Sequence, residues 1–277
     1  MGLRINTNIQ ALSAQRFLNN NSTNLRNNME HLSSGSRINK AGDDAAGLAI
    51  SEKLKAEIRS LKQANRNAND GVSLIQVAEG GMSEVSNILI RLRELSMQSA
   101  SDTIGDVERS FVNKEVQQLK QEVDRIAAAT EFDGTKLLDG SSPSLEFQVG
   151  TKNNPILDRF FFDSQSLITS TAALGIEGVS TESKQSAQAN LTMLDEAIER
   201  LNGNRANLGA LQNRMQSTIT NLTTYRENLE AANSRIRDTD MAEESSELVK
   251  NNILSSANVS VLAQANQSTQ LALKLLG

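Results

Sequence analysis

The chain contains no cysteine and no tryptophan, one tyrosine, one histidine and two prolines in 277 residues, and aromatic side chains make up 3% of it. Without cysteine there are no disulfides and no thiolate metal sites, so the redox state of the surroundings is immaterial. Without paired histidines or a glycine-rich phosphate loop, metal hydrolysis and nucleotide chemistry lack their usual residues. No enzyme and no cofactor is expected. The single histidine, His31, stands between Glu30 and Leu32 and reads as a solvated surface side chain. So few rings would fill a compact globule poorly, whereas long helices meeting along Leu, Ile and Val seams need few aromatics. The formal charge of -5 is scattered without blocks and the pI is near 5.2, which leaves no basic stripe for nucleic acid. No stretch approaches a membrane span, and Met1 to Asn8 carries Arg4 without a continuous apolar core. Membrane insertion and a cleaved secretory signal are therefore not expected, and export would take another route.

What is present divides the chain at its turn-forming residues. Pro143 and Pro155 lie near the centre with Gly134, Gly140, Gly150, Gly175 and Gly178, which marks about 133–180 as the non-helical part. Leu145, Phe147 and Val149 alternate with polar residues as a strand does, and Gly150 to Pro155 supplies a turn, so a small β-hairpin region is expected there. On both sides the period becomes helical. Leu191, Leu194, Ile198, Leu201, Arg205, Leu208, Gln212, Met215, Ile219, Leu222, Arg226 and Leu229 follow one another at unbroken 3,4 spacing, a bundle seam about 58 Å long as a helix. Arg205, Gln212 and Arg226 either set the register of that seam or carry their charged and polar ends out to water. Leu54, Ile58, Leu61, Ala68, Val72 and Ile75 form a second seam. Gly80-Gly81 is expected to loosen it before Val85, Ile88, Leu92 and Leu95 resume it. Val112, Val116, Leu119, Val123 and Ile126 form a third, and three such helices can close a narrow apolar core.

The two ends differ from these seams. Ala11, Gln15, Leu18, Ser22, Leu25, Met29 and Leu32 make one heptad stripe, and Leu262, Ala265, Thr269, Ala272 and Leu276 make another, both thin and interrupted by polar residues. Helices with so little apolar surface are marginal alone, so both ends are expected to be poorly ordered in a free monomer and to fold against other copies. Asp43 and Asp44 precede Ala45-Ala46, and Asp240 precedes Glu243 by three residues, as N-terminal caps do. No further ligands cluster there to suggest a cation site.

Particular runs carry a family resemblance. Leu32-Ser33-Ser34-Gly35-Ser36-Arg37-Ile38-Asn39 and Ala41-Gly42-Asp43-Asp44-Ala45-Ala46-Gly47-Leu48-Ala49-Ile50 resemble the N-terminal signature of bacterial flagellin. So do Asn69-Asp70-Gly71, Ile75-Gln76-Val77-Ala78-Glu79-Gly80, Arg93-Glu94-Leu95 and Phe132-Asp133-Gly134. The other end matches at Ser234-Arg235-Ile236-Arg237-Asp238 and Leu262-Ala263-Gln264-Ala265-Asn266-Gln267. Ser36, Met241 and Thr269 depart from the pattern, where an apolar residue, Phe and Pro are usual.

The resemblance implies a mainly α protein: an elongated helical bundle or coiled coil with a small β-hairpin region and termini paired as long helices. It implies an inner filament-core domain at 1–43 and 236–277 and an outer domain at 44–235, with no room for additional surface domains. Its implied function is polymerisation of many copies into the flagellar filament, with Leu18, Leu25, Leu32, Leu262 and Leu276 on the polymerising helices. Export through the flagellar type III apparatus, an export chaperone, and cap and junction proteins come with it, as does an extracellular location. The hook–filament junction protein of the same superfamily and a soluble coiled-coil adaptor are the alternatives, and an adaptor would keep its self-association when its ends are trimmed. The resemblance also implies sensing by an innate-immune Toll-like receptor through Arg91, Leu95 and Glu115; the plainer reading makes Leu95 a core residue and the two charges solvated or intersubunit.

Overall fold

The computed structural model describes residues 7–274, with side chains as far as Gln267. Six helices, α1 (Ile9–Ser34), α2 (Ala45–Ser99), α3 (Asp106–Ala129), α4 (Thr171–Leu174), α5 (Lys184–Arg237) and α6 (Met241–Lys274), carry most of them. Between α3 and α4 lie the strands β1 (Glu131–Phe132), β2 (Thr135–Lys136), β3 (Leu145–Gln148) and β4 (Arg159–Phe162). The chain forms two compact units, one from residues 57–227 and the other from residues 1–56 with 228–277.

In the unit 57–227 the three seams read from the sequence become one core. Leu74, Ile75, Met82, Val85, Leu89, Leu92 and Leu95 of α2 pack with Val116 and Val123 of α3 and with Leu194, Leu201, Leu208 and Met215 of α5. Leu191, Ile198, Ile219 and Leu222 flank that row half-buried, and Leu229, which belongs to the other unit, is half-buried there. Each fully buried Leu or Ile contributes about 1.5–3 kcal/mol, so a core without tryptophan loses nothing by it. Arg205 reaches Glu79 at 3.8 Å and stays about one-third exposed, so its charge sits at the seam edge.

The expected loosening at Gly80-Gly81 does not occur: α2 runs 55 residues without a break. The reason is packing. A Cβ on Gly81 would stand 2.6 Å from Thr130 Oγ1 and 2.9 Å from Leu138 Cδ1, so the glycine lets the segment after α3 lie against the helix. That contact offsets the roughly 1 kcal/mol a helical glycine costs relative to alanine.

The β region contains two antiparallel hairpins. β3 pairs with β4 from Leu145 opposite Phe162 to Gln148 opposite Arg159, as the alternation at Leu145, Phe147 and Val149 implied. It is held to the helices by Asn67 Nδ2, which donates to Gln148 O at 2.9 Å, and by Arg214 stacked 4.9 Å from the centre of the Phe160 ring. The β1–β2 hairpin was not anticipated, although its signal is in the sequence. Asp133 (φ 49°) and Gly134 (φ 75°) both take left-handed conformations, the requirement of a two-residue turn that Asp-Gly satisfies.

Two further devices had no hydrophobic signal. Asn113, Gln117, Lys120 and Asp124 recur every three or four residues on α3 and tie down the segment leading to α5. Asp124 accepts from the Thr171 N–H at 2.8 Å, Lys120 and Gln117 donate to Val179 O at 3.2 and 3.3 Å, and Asn113 accepts from the Thr181 N–H at 3.1 Å. The buried Arg109 closes the end of α2, donating from Nε to Ser99 O at 3.0 Å and from a second nitrogen to Ser101 O at 2.9 Å, while Asp106 lies 2.8 Å away. These bonds answer carbonyls that a helix terminus leaves unpaired.

Candidate assembly surface

The second unit is built around α1 and α6, which run antiparallel. Asn8 Nδ2 donates to Ala265 O at 2.9 Å, Asn21 Nδ2 donates to Asn251 O at 2.7 Å, and His31 Nδ1 lies 3.3 Å from Glu244 Oε1. Along α1 the inward row is Ala11, Ala14, Leu18, Asn21, Leu25, Asn28 and Leu32, all buried or half-buried. The opposing row on α6 is Glu244, Leu248, Asn251, Ser255, Asn258, Leu262 and Ala265. Asn28 satisfies itself fully when its amide nitrogen faces Glu244 Oε1 at 3.2 Å and its oxygen faces the Leu248 N–H at 3.2 Å. Buried asparagines with complete partners add little net stability but are costly to misplace, which is how polar seam residues specify pairing.

This arrangement corrects two expectations. Gln15, Ser22 and Met29 were assigned to the inward stripe of α1, but all three are exposed and their neighbours Ala14, Asn21 and Asn28 are buried instead. The sequence rule placed apolar Met29 inside; the partner row is rich in Asn and Ser, so the asparagines go in. His31 is likewise not a solvated side chain, since it is 22% exposed and faces a carboxylate that is 19% exposed. Leu18, Leu25, Leu32 and Leu262 lie on the inward rows half-buried. Leu276 lies outside the described residues, and Thr269 and Ala272 lie beyond the described side chains.

Alongside the inward leucines, asparagines and alanines, many large apolar side chains of the pair are exposed. On α1 these are Ile9, Leu12, Phe17 and Met29; on α6 they include Val249, Ile253, Leu254, Val259 and Val261. Phe17 is 56% exposed and Ile253 64%. Single exposed apolar residues are ordinary, but so many of them spread round both helices of one pair mark surfaces that other protein surfaces cover.

The pair is fastened at one end by its connections. Asp44 caps α2, accepting from the Gly47 N–H at 2.8 Å, and Asp240 caps α6 through the Ala242 N–H at 2.9 Å. Asp43 does not cap a helix: it accepts from the N–H groups of Lys40 and Asn39, which hold its carboxyl below the usual range. Ser36 bridges Asp238, the Arg37 N–H donates to Arg237 O at 2.7 Å, and the Thr239 N–H donates to Gly35 O at 3.0 Å.

In the unit 57–227, Leu95 is 2% exposed and belongs to the core. Arg91 and Glu115 are on the surface and paired, with Arg91 Nε 3.0 Å from Glu115 Oε1. Hydrogen bonds to Glu94 and Glu115 hold the Arg91 guanidinium above its ordinary value. Among the described residues no group of three or more His, Cys, Asp or Glu is placed to hold a metal, and no helix is long and apolar enough to cross a membrane.

Comparison with known proteins agrees with this geometry. The family model for the bacterial flagellin N-terminal helical region matches residues 5–143, and that for the C-terminal helical region matches residues 191–276. The chain is 46% identical over 274 residues to the flagellin of Halalkalibacterium halodurans, covering 98% of this chain and 99% of that protein. It is 43% identical over 303 residues to the flagellin of Bacillus subtilis, covering 99% and 100%. The crystal structure of Bacillus cereus flagellin is similar with a TM-score of 0.51 at 30% identity, over 61% of this chain and 94% of that one.

Proposed function

Because the chain belongs to the bacterial flagellin family, we propose that the exposed apolar residues of α1 and α6 are where copies of this filament subunit pack against one another. A flagellin is a structural protein, not an enzyme, and polymerises into the filament that drives swimming. The observation that carries the proposal is the make-up of the helix pair: asparagine, serine and alanine share the inside with half-buried leucines, while Phe17, Ile253 and their like lie exposed. A pair so built gains little by its own closure and more by being covered. The inner, filament-core part on this reading is about 1–43 with 236–277, and the outer part is about 44–235.

Electron microscopy of the purified full-length chain, after seeding or addition of salt, tests the assignment. Phe17→Ser with Ile253→Ser should abolish long filaments while leaving the melting temperature of the monomer nearly unchanged. Long filaments at an unaltered critical concentration would refute it. Flagellin matches spanning nearly the whole chain favour a filament subunit over a junction protein, and the exposed apolar residues of α1 and α6 favour it over a soluble adaptor.

The same membership supports the reading that the chain is exported by the flagellar type III route to the cell exterior, with a dedicated chaperone and with cap and junction proteins as neighbours. An innate Toll-like receptor contact would rest on Arg91 and Glu115, since Leu95 is enclosed. Arg91→Ala should weaken binding to that receptor by more than about 1 kcal/mol in a direct titration with the monomer's melting temperature unchanged. Absence of any binding by the unaltered monomer leaves the Arg91–Glu115 pair to surface packing.

A further inference from the structure

We propose that the Asp133-Gly134 turn is a site of spontaneous covalent rearrangement, at which the folded chain converts Asp133 to an isoaspartyl residue while sparing its other Asp-Gly pairs. The chain has three such pairs, Asp70-Gly71, Asp133-Gly134 and Asp139-Gly140. The chemistry open to each is the same. The glycine nitrogen attacks the aspartyl Cγ, the new N–Cγ bond replaces a C–O bond of the neutral carboxyl, and the hydroxyl leaves with the amide proton as water, which closes a succinimide ring. Water then adds to one of the two ring carbonyls. Opening at Cγ restores aspartate, whereas opening at the main-chain carbonyl breaks the original peptide bond and leaves the chain running through Cβ and Cγ. Nothing is oxidised or reduced. The step needs an unengaged carboxyl, an unengaged glycine N–H, a peptide unit that can rotate and room for the ring, and the fold decides which pair has them.

Asp133-Gly134 has all four. Asp133 is exposed, alone among the described non-glycine residues in having a positive φ, and its carboxylate has no hydrogen-bond or ion-pair partner among the described residues. The ladder bonds belong to the pairs Glu131 with Lys136 and Phe132 with Thr135, so the Asp133-Gly134 peptide unit turns without breaking one. Gly134 is exposed, and a Cβ there would meet nothing within 4 Å. Asp70-Gly71 lies inside α2, where rotating the peptide breaks the helical ladder, and Gly71 is buried, a Cβ on it standing 3.0 Å from Met215 Cε and 3.2 Å from Phe147 Cδ1. Asn202-Gly203, the related asparagine pair, is inside α5 and protected in the same way. Asp139 is engaged by its neighbour: its Oδ1 accepts from the Ser141 N–H at 2.9 Å and from the Ser141 hydroxyl at 2.7 Å. Gly140 is enclosed as well, a Cβ on it standing 2.7 Å from Ile168 Cγ1. The rearrangement has a structural consequence. An isoaspartyl residue adds an atom to the backbone, and the chain no longer fits a two-residue turn. The β1–β2 register and the Leu137 N–H donation to Thr130 O at 3.1 Å depend on that turn, so the change loosens the segment that lies against Gly81.

The experiment uses the unaltered full-length chain, with the other two pairs as internal controls. Trypsin places the three in separate peptides, residues 67–91, 126–136 and 137–152, and Asp133 is the only aspartate in the second. After prolonged incubation at neutral pH and physiological temperature, the folded chain should yield a second form of peptide 126–136, equal in mass and separable by chromatography. That form should accept a methyl group from S-adenosylmethionine through protein isoaspartate methyltransferase. Peptides 67–91 and 137–152 should be converted at least about tenfold less, because each must wait for local opening of the structure. The same incubation in denaturant removes that protection and should bring all three pairs to comparable conversion. An unconverted peptide 126–136 from the folded chain when the denatured chain has converted, or equal conversion of all three peptides from the folded chain, would overturn the proposal. Neither result depends on filament assembly.

Discussion

Along α5 the positions buried at seven-residue steps are Leu194, Leu201, Leu208 and Met215; along α6 the positions in the same rhythm are Glu244, Asn251, Asn258 and Ala265. The rhythm is shared and the chemistry differs. The first row encloses its bulk within residues 57–227 and needs no partner to do so, while the second encloses amides beside the half-buried Leu248 and Leu262 and leaves Val249, Ile253, Val259 and Val261 exposed. Helical period thus says only that one face is inward. Which chemistry occupies it separates a helix that stabilises its own subunit from one that waits for other subunits.

The largest expected effect comes from deleting one side of the comparison. Removal of residues 1–35 or 245–277 should end filament growth outright while leaving the cooperative thermal unfolding of the remaining bundle, since the buried apolar cluster lies within 57–227. Filaments from such a truncated chain, or loss of cooperative melting, would dissolve the distinction between the two units. Next in size is the seam of α5. Leu201→Ala should lower stability by about 2–5 kcal/mol in chemical denaturation, Leu222→Ala, at a half-buried site, by less, and Glu199→Ala by under about 0.5 kcal/mol. Equal, small costs at all three would contradict the register.

A smaller effect sharpens the contrast. Single outward replacements, Phe17→Ala or Ile253→Ala, should raise the critical concentration for assembly about tenfold, some 1.4 kcal/mol, with no change in monomer melting. A matching loss of monomer stability would mean that these side chains are packed within the subunit. The smallest effect is electrostatic. Asp195 and Asp102 are held below the usual aspartate value by hydrogen bonds from Arg93 and Lys184. A depressed folded-state value gives a contribution that is present above the ordinary aspartate range and is lost as pH falls through the folded value. Asp195→Asn should therefore lessen the decline in melting temperature below about pH 4, and 1 M salt should erase the difference.

The Leu191 to Leu229 seam, the seam of α3 and the alternation at Leu145, Phe147 and Val149 were legible because each rests on side chains large enough to impose a period on neighbours a few residues away. Asp133-Gly134 was legible as turn chemistry and passed over. The tie points at Asn113, Gln117, Lys120 and Asp124 and the capping Arg109 were not, because a polar side chain that bonds a distant carbonyl looks, in one dimension, like any solvated one. Part of the assembly surface was equally hidden: Met29 and Gln15 could not be told from Asn28 and Ala14 until a partner helix was in place.

From the amino-acid order alone come the helical ends, the bundle seams, the central β region and the family signatures, since all of these depend on residues within a turn or two of one another. The tertiary structure decided the rest. It carried α2 unbroken through Gly80-Gly81, because the segment after α3 needs the space a side chain would fill. It kept the Ala11–Leu18–Leu25–Leu32 line of α1 inward but exchanged its companion line, Gln15, Ser22 and Met29, for Ala14, Asn21 and Asn28, so that Asn21 meets the backbone of α6 and Met29 faces away. An amphipathic pattern gives the width of a buried face, but where polar and apolar residues both fit that face, the rotation is settled by the hydrogen bonds and contacts a partner offers, and those belong to no single stretch of sequence.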